Sequence, residues 1–178
     1  MKLGELCIEA GIALSIPNMY DTEITGVCSD TRALKKGNLF VAMRGLHCDG
    51  AQFAAKALSL GACAIVAERS LEGIETVVVP NAREALSRLL DAWYGHPTRE
   101  MKLIGITGTN GKTSTALMLF HVLRATGHCV GLIGTLECRI NEEIVTLKGQ
   151  NALANMTTPD PENLYPMLAR MVEDGVAH

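Results

Sequence analysis

A glycine-rich stretch, GITGTNGKTST at residues 105–115, holds the side chains best suited to chemistry in this sequence. Gly108 and Gly111 allow the backbone to turn several N–H groups toward one point, where they can bind an anion. Lys112 adds a positive charge for phosphate oxygens, and Thr113 offers a hydroxyl to Mg²⁺. A helix that begins here would point its positive end at the same place. We therefore predict a loop that binds a nucleoside triphosphate.

The stretch departs by one position from the common phosphate-loop pattern, G-x-x-x-x-G-K-[ST]. Counting back from Gly111, the first glycine of that pattern falls at Ile106, whereas the glycines here stand at 105 and 108. A glycine turn with a solvated lysine is the alternative interpretation. The location of Gly-Lys-Thr between an apolar run, MKLIG, and the helix-like ALMLFHVLRATG favours phosphate binding.

A phosphate loop identifies a ligand but not a reaction, because hydrolysis or transfer also needs a second magnesium ligand, often an acid at the end of a later strand. The acids that follow the loop are Glu137, Glu142, Glu143, Asp160, Glu162, Glu173 and Asp174. None of them ends a strongly apolar stretch. We therefore expect the missing acid, or the activity itself, to lie beyond His178.

The segments around the loop predict the elements that must position it. We expect a strand at 102–107, a helix at 112–126 and a strand at 129–134, which together are the start of a doubly wound parallel sheet. A hairpin turning at Asn141-Glu142 and a helix from about 160 to 174 follow. The final GVAH resembles the first residues of another strand.

The first half alternates strands with helices, which predicts a small α/β layer. The predicted elements are a helix near 2–10, strands at 24–28, 38–43, 63–68 and 76–80, and helices at about 50–60 and 81–94. Asp49 and Gln52 form a capping-box pattern where the 50–60 helix begins, and Gly61 ends it. Because Gly95 and Pro97 then break the helical pattern, we predict two domains, residues 1–98 and residues 99–178, the second cut short.

Composition argues against several other classes of protein. The net charge is −3, from 16 basic and 19 acidic residues, and the aromatic content is only 4%, which argues against binding to nucleic acid. Glu5 and Glu9 interrupt the apolar start of the chain, which predicts neither a signal peptide nor a membrane span. The six cysteines lack metal-ligand spacing and favour a reducing, cytoplasmic location. No feature of the sequence indicates an oligomeric state.

Three motifs resemble the Mur ligase family, in matching order along nearly the whole chain. GTNGKTS resembles the phosphate loop of these ligases and of their relatives, the folylpolyglutamate and cyanophycin synthetases. Residues 29–68, SDTRALKKGNLFVAMRGLHCDGAQFAAKALSLGACAIVAE, resemble the N-terminal domain of the members that add the third peptide residue or the terminal dipeptide. NMTTPDP, residues 155–161, is similar to the members that add the third residue.

The resemblance implies an amide ligase of peptidoglycan synthesis that depends on ATP and Mg²⁺. In that family, ATP phosphorylates the carboxylate of UDP-N-acetylmuramoyl-L-alanyl-D-glutamate (the UDP-MurNAc-dipeptide), and the amine of a diamino acid then displaces the phosphate. Phosphorylation supplies the leaving group that a carboxylate lacks. The choice between meso-diaminopimelate and L-lysine is not readable here, because the determining segment is absent from the sequence.

The resemblance also assigns residues to sites. ATP would be held by Gly108, Thr109, Asn110, Gly111, Lys112, Thr113 and Ser114, with Lys112 catalytic and Thr113 the magnesium ligand. The substrate would contact Ser29 and Thr31 near its uridine, Leu46, His47 and Cys48 around the uracil and nucleotide, and Thr157 and Thr158 at the muramoyl peptide. Each set has a structural alternative: a polar turn at 29–32, a surface histidine at 47, and a helix cap at Thr158.

Two features depart from the family pattern. Ala51 follows the Asp49-Gly50 pair, where members often carry a basic or imidazole residue. The family's acidic magnesium ligand, carboxylated lysine and amino-acid-binding domain would fall beyond His178. We therefore expect an N-terminal fragment that cannot complete the ligation alone.

Two other functions remain as alternatives. A small-molecule kinase would bring several arginines to the transferred phosphoryl group, and only Arg124, Arg139 and Arg170 follow the loop. A non-catalytic module would bind a nucleotide or a UDP-sugar without turning it over.

Overall fold

The computed structural model describes residues 1–45, 48–145 and 158–178, and the chain divides into two compact units, Met1–Trp93 and Tyr94–His178. In these described ranges every helix is too short or too polar to cross a membrane. The assignment of a substrate role to the first predicted domain and an ATP role to the second stays a prediction.

The first unit is built on a four-stranded parallel sheet whose strands follow one another in chain order. The strands are β1 (Gly26–Cys28), β2 (Asn38–Val41), β3 (Ala64–Ala67) and β4 (Thr76–Val78). The helices are α1 (Leu3–Glu9), α2 (Ala54–Ser59) and α3 (Ala82–Trp93), with 3₁₀ turns at Pro17–Met19 and Gly50–Phe53. Because the strands are parallel, their carboxyl ends all meet at one edge of the sheet.

Burial explains why two apolar runs become the central strands. Every residue of β2 and β3 is buried, and Phe40 and Ile65 belong to one core cluster with small residues of α2. Strands covered on both faces are typically continuous apolar runs rather than alternating ones. The α3 helix is amphipathic instead, and it buries Ala82, Ala85, Leu86, Leu89, Leu90 and Ala92.

The predicted helix at 50–60 is present, but its start differs from the prediction. A 3₁₀ turn covers Gly50–Phe53, and Asp49 caps it by accepting a hydrogen bond from the Ala51 N–H at 3.0 Å. The other half of the predicted capping box is wrong, because the Gln52 amide donates to Sγ of Cys48 at 2.5 Å. A 3₁₀ turn has three residues per turn rather than 3.6, which rotates Gln52 to a different side of the helix axis.

The second unit combines three helices with a small antiparallel sheet among its described residues. The helices are α4 (Pro97–Glu100), α5 (Lys112–Ala125) and α6 (Pro161–Glu173), and the strands are β5 (Gly131–Ile133), β6 (Cys138–Ile140) and β7 (Glu143–Val145). The sheet order is β5-β6-β7. The hairpin predicted at Asn141-Glu142 is confirmed.

The α6 helix begins later than the predicted cap at Thr158. Its cap residue is Asp160, whose ψ of 151° is extended, and Pro161 is the first helical residue. A residue before proline is kept out of the helical region by steric contact, so the helix cannot begin before Pro161. The prediction that Thr158 caps this helix is therefore wrong.

The strand predicted at 102–107 is not formed in this structure. The Lys102 N–H donates to the Ala177 carbonyl at 2.9 Å, but no second hydrogen bond extends this contact along the segment in the described parts of the chain. Leu103 and Ile104 are 55% and 53% exposed. A strand requires a neighbour to pair with, whatever its apolar content. The α/β class is confirmed, with its parallel sheet in the first unit, while the described sheet of the second unit is antiparallel.

Asn141 holds the turn of the β6–β7 hairpin against the preceding strand and helix. Its Oδ1 accepts hydrogen bonds from the Val130 N–H at 2.9 Å and from Nη1 of Arg124 at 3.2 Å, and its φ is 52°. Asn141→Ala removes the acceptor and places a Cβ-bearing residue in left-handed backbone. We expect the second unit to lose about 2–3 kcal/mol of stability, measured by native-state hydrogen exchange at Leu132.

Asn141→Gly is the matched control, because glycine adopts a positive φ without strain and removes only the acceptor. The glycine variant should therefore be more stable than the alanine variant. Equal stability of both variants and the unmodified chain would contradict this account of the turn.

Candidate nucleotide and substrate sites

The glycine-rich loop of the second unit has the backbone that an anion site requires. Gly108 has a φ of 152° and Gly111 a φ of 79°, conformations that other residues adopt only with strain. Gly111 is the cap residue of α5, and the helix begins at Lys112. The first N–H groups of the helix have no partner within it, so they are free to bind an anion at this end.

The Lys112 side chain folds over this loop. Its Nζ donates a hydrogen bond to the Gly108 carbonyl at 2.7 Å. Residues 107–111 are exposed, and Lys112 and Thr113 are partly exposed, so a ligand can approach from solvent. The ammonium group therefore lies beside the backbone N–H groups that would hold a phosphate.

Three of the predicted site residues line a single cavity of about 320 Å³ in the second unit, namely Lys112, Thr113 and Thr158. Thr135, which follows β5, adds another hydroxyl to this lining. The structure therefore brings the start of α5 together with the segment that leads into α6. Thr157 lies outside the described residues.

The first unit gathers its predicted site residues at one edge of the parallel sheet. Ser29 and Thr31 follow β1, Cys48 lies in the connection after β2, and Arg69 lies two residues after β3. The carboxyl edge of a parallel sheet is where ligands commonly bind in α/β folds. Leu46 and His47 lie outside the described residues.

A cavity of about 200 Å³ opens at this edge, beneath the connection after β2. Its charged lining residues are Arg44, Asp49, Glu68 and Arg69. Oδ2 of Asp49 accepts a hydrogen bond from Nη2 of Arg69 at 2.7 Å. The Glu68 carboxylate accepts a hydrogen bond from the Ala82 N–H and so caps the start of α3.

The connection after β2 is closed by backbone hydrogen bonds at its base. The Gly45 N–H donates to the Cys48 carbonyl at 2.8 Å, and the Gly50 N–H donates to the Met43 carbonyl at 2.9 Å. A Cβ on Gly50 would lie 2.8 Å from the Met43 nitrogen and closer still to its carbonyl oxygen. Only glycine therefore permits this closure.

The turn after β1 is fixed by a carboxylate–guanidinium pair. Asp30 accepts from the Arg32 backbone N–H at 2.8 Å and pairs with the Arg32 guanidinium at 2.6 Å. This side-chain hydrogen bond holds the pKa of Asp30 below its ordinary value. Ser29 and Thr31, which flank Asp30, thus lie in a turn of defined shape.

Two cations of the first-unit cavity were missed by sequence reasoning. Arg44 and Arg69 both line it. Arg44 lies within the family-like stretch 29–68 but was not assigned to a site, and Arg69 directly follows that stretch. A usable signal existed for Arg69, because a charged residue within two positions of the end of a buried parallel strand lies at the ligand-binding edge of the sheet.

Two family models match the chain in its own order. Residues 23–94 match the Mur ligase family catalytic domain, and residues 106–178 match the Mur ligase middle domain. The chain belongs to the Mur ligase family. The predicted resemblance is therefore confirmed.

Individual Mur ligases agree with the family models. The chain is 44% identical over 155 residues to the UDP-N-acetylmuramoyl-L-alanyl-D-glutamate–2,6-diaminopimelate ligase of Bacillus cereus, covering 86% of this chain and 30% of that protein. A solved structure of a ligase with that name superimposes with a TM-score of 0.74 at 20% identity, covering 99% of this chain and 35% of the other. The structure of the MurF ligase of Thermotoga maritima in complex with ADP superimposes with a TM-score of 0.50 at 25% identity. The match covers 83% of this chain and 29% of the other. The chain thus spans about a third of the length of the Mur ligases it matches.

Asp49 gives a direct test of the electrostatics at the first-unit edge. The Ala51 N–H and then the Arg69 guanidinium lower the pKa of Asp49. A carboxylate with a lowered folded-state pKa stabilises the fold above its unfolded pKa, and the stabilisation is lost as the pH falls through the lower value. We expect the pKa of Asp49 to lie below the ordinary value of an aspartate, measured by carbon NMR of its carboxyl group.

Arg69→Ala should raise the pKa of Asp49 while leaving it below the ordinary value, because the larger contribution comes from Ala51. Arg88→Ala, which removes a surface pair with Glu84 on α3, serves as the control. A pKa of Asp49 that is unchanged by Arg69→Ala would contradict the pairing.

Proposed function

We propose that this chain contains the uridine-substrate and ATP sites of a Mur ligase that adds 2,6-diaminopimelate to UDP-N-acetylmuramoyl-L-alanyl-D-glutamate in the cytoplasm. The relatives' names supply the substrate and the added residue. The chain's own residues support binding. The first unit has hydroxyl and charged side chains at the carboxyl edge of its sheet, and the second unit has an exposed glycine-rich loop.

The observation that carries the proposal is the loop at Gly108–Thr113. It combines two glycines in left-handed backbone, a helix start and a lysine ammonium within one turn of chain. Each of these features favours a phosphate, and together they favour the densely charged end of a triphosphate. The ADP in the name of the Thermotoga maritima relative agrees with this ligand class.

The proposed chemistry begins at the γ-phosphoryl group of ATP. An oxygen of the substrate carboxylate attacks the γ-phosphorus, the bond to the β-phosphate oxygen breaks, and ADP leaves. The amine of the diamino acid then attacks the acyl carbon, phosphate departs, and the nitrogen loses a proton. Lys112 would orient the γ-phosphoryl oxygens and neutralise charge on them during the first step.

The Thr113 hydroxyl fits a magnesium ion, because a neutral oxygen ligand at the start of a phosphate-binding helix is a usual donor to Mg²⁺ beside nucleotide phosphates. When bound, the ion would offset the negative charge of the nucleotide phosphates. Ser114 would supply a further hydroxyl. Thr109 and Asn110 would supply backbone contacts in the same loop.

The first unit would hold the uridine end of the substrate. Ser29 and Thr31 offer hydroxyls after β1, and Cys48 lies in the connection after β2. Leu46 and His47 would contact the uracil and nucleotide. Arg44 and Arg69 would offer guanidinium hydrogen-bond donors at that edge to the diphosphate of a UDP-sugar. Thr157 and Thr158 would contact the muramoyl peptide.

Isothermal titration with UDP-MurNAc-dipeptide and, separately, with ATP·Mg²⁺ tests the proposal. Saturable binding of both ligands supports the ligase. ATP binding alone would favour a kinase-like protein, and binding of the uridine ligand alone would favour a non-catalytic module. UDP-glucose serves as the matched control, since it shares the nucleotide but lacks the muramoyl peptide.

A further inference from the structure

We propose that Asp49 is a positioning residue of the first-unit cavity, where it holds the Arg69 guanidinium in the orientation that binds the diphosphate of the uridine substrate. This role rests on the proposed function, because that function brings a diphosphate to the carboxyl edge of the parallel sheet. It also has an unusual consequence. A negatively charged side chain would strengthen the binding of a negatively charged ligand.

Arg69 combines a rigid base with a flexible side chain. The Val79 N–H donates to the Ala67 carbonyl at 2.9 Å, so the sheet is paired at the last residue of β3, two positions before Arg69. The Arg69 side chain itself is 65% exposed. A long exposed side chain loses rotamer freedom when it binds a ligand, which lowers affinity unless another contact has already restricted it.

Asp49 supplies that restriction from the connection after β2. Its Oδ2 accepts a hydrogen bond from Nη2 of Arg69 at 2.7 Å, while its Oδ1 accepts from the Ala51 N–H at 3.0 Å. Its backbone also forms an isolated antiparallel bridge with Arg44. The carboxylate is therefore held by the backbone of its own connection, and it restricts Arg69 from outside the strand that precedes this arginine.

The carboxylates of Asp49 and Glu68, which both line the cavity, already accept hydrogen bonds from groups of the protein. Asp49 accepts from Arg69 and from Ala51, and Glu68 accepts from the Ala82 N–H at 3.0 Å, where α3 begins. A guanidinium and a helix start each offset part of a carboxylate's charge, and solvent screens what remains at an exposed site. We therefore expect the ordering of Arg69 to outweigh the repulsion between Asp49 and a phosphate.

Arg69 keeps hydrogen-bond donors for a ligand while it is paired with Asp49. A guanidinium has five N–H donors in a planar fork, and among the described residues the contact with Asp49 uses the one at Nη2. Arginine binds phosphate oxygens through parallel, charge-assisted hydrogen bonds of this fork. The small side chains of Ala42, Ala51 and Ala67 line the same cavity of about 200 Å³, which leaves room beside the guanidinium.

UDP and uridine, titrated separately into the ¹⁵N-labelled 178-residue chain, separate phosphate contacts from base contacts. We expect Arg69→Ala to weaken UDP binding roughly 10- to 150-fold, the loss of a hydrogen bond to a charged group. Asp49→Asn keeps an acceptor for the Ala51 N–H but loses the carboxylate that pairs with Arg69. It should weaken UDP binding roughly 3- to 10-fold, the cost of ordering one long side chain. Both variants should bind uridine as the unmodified chain does.

Glu84→Gln is the matched control, because it also neutralises an exposed carboxylate paired with an arginine, Arg88 on α3. It should leave UDP binding unchanged. The double variant of Arg69→Ala and Asp49→Asn then isolates the positioning role. If Asp49 acts through Arg69, Asp49→Asn should not weaken UDP binding further in a chain that already carries Arg69→Ala.

The possible contrary results distinguish this role from the proposed function. UDP binding that Asp49→Asn leaves unchanged or strengthens would overturn the role of Asp49 alone. Equal weakening of UDP and uridine binding would also overturn it, since Asp49 would then only shape the connection after β2. Failure of the unmodified chain to bind either ligand would overturn both this role and the proposed uridine site.

Discussion

Lys112→Ala is expected to weaken the binding of ATP·Mg²⁺ to this chain roughly 30- to 150-fold. The ammonium group lies over the glycine-rich loop, 2.7 Å from the Gly108 carbonyl, where a phosphate would replace that carbonyl as its partner. A hydrogen bond to a charged group contributes about 2–3 kcal/mol, which corresponds to this loss of affinity. Isothermal titration with ATP·Mg²⁺ measures it.

Lys35→Ala is the matched control, since Lys35 is an exposed lysine of the first unit. The Lys35→Ala variant should bind ATP·Mg²⁺ with the same affinity as the unmodified chain. Lys112→Arg keeps the charge but changes the geometry, so it should bind more tightly than the alanine variant. An affinity of Lys112→Ala within threefold of the unmodified chain would show that the loop does not bind the triphosphate through this residue.

Gly50→Ala is expected to destabilise the first unit by about 2–3 kcal/mol, which is a large effect for a single methyl group. The added Cβ would lie 2.8 Å from the Met43 nitrogen and closer still to the Met43 carbonyl oxygen. Both are backbone atoms, which cannot rotate away as a side chain could. The Gly50–Met43 hydrogen bond would be lost as the chain separates. The unfolding temperature, followed by fluorescence of Trp93, should fall by roughly 10 °C or more.

The same variant should weaken binding of UDP-MurNAc-dipeptide, because the connection after β2 would open at its base. Gly26→Ala is the matched control, since its added Cβ would meet Asn38 at an ordinary 3.5 Å. If Gly50→Ala and Gly26→Ala unfold at the same temperature, the close approach at Met43 does not constrain this connection.

The parts of the fold that the sequence predicts well are those decided by local pattern. The apolar runs that contain Phe40 and Ile65 become buried parallel strands, and the turn at Asn141 forms as its residue types indicate. The start of α5 follows from Gly111 and Lys112 alone. Each of these depends on residues within a few positions of one another.

The parts that could not be predicted depend on distant neighbours. Residues 102–107 have strand composition, yet a strand also requires pairing along its length, and within the described part of the chain Lys102 alone pairs, with Ala177. Arg69 donates a hydrogen bond to Asp49, which lies 20 positions earlier in the sequence, and no local motif indicates that contact. The site roles of all the named residues stay predictions, and Leu46, His47 and Thr157 also lie outside the described residues.

The most direct measurement is a titration of the ¹⁵N-labelled chain with ATP·Mg²⁺, followed by amide chemical shifts. We predict saturable changes that are largest at the N–H groups of residues 108–114, and that need roughly 30- to 150-fold more ATP·Mg²⁺ in Lys112→Ala. A titration that leaves these amides unchanged, or that shifts the first unit most, would contradict the assignment of the glycine-rich loop to a nucleoside triphosphate.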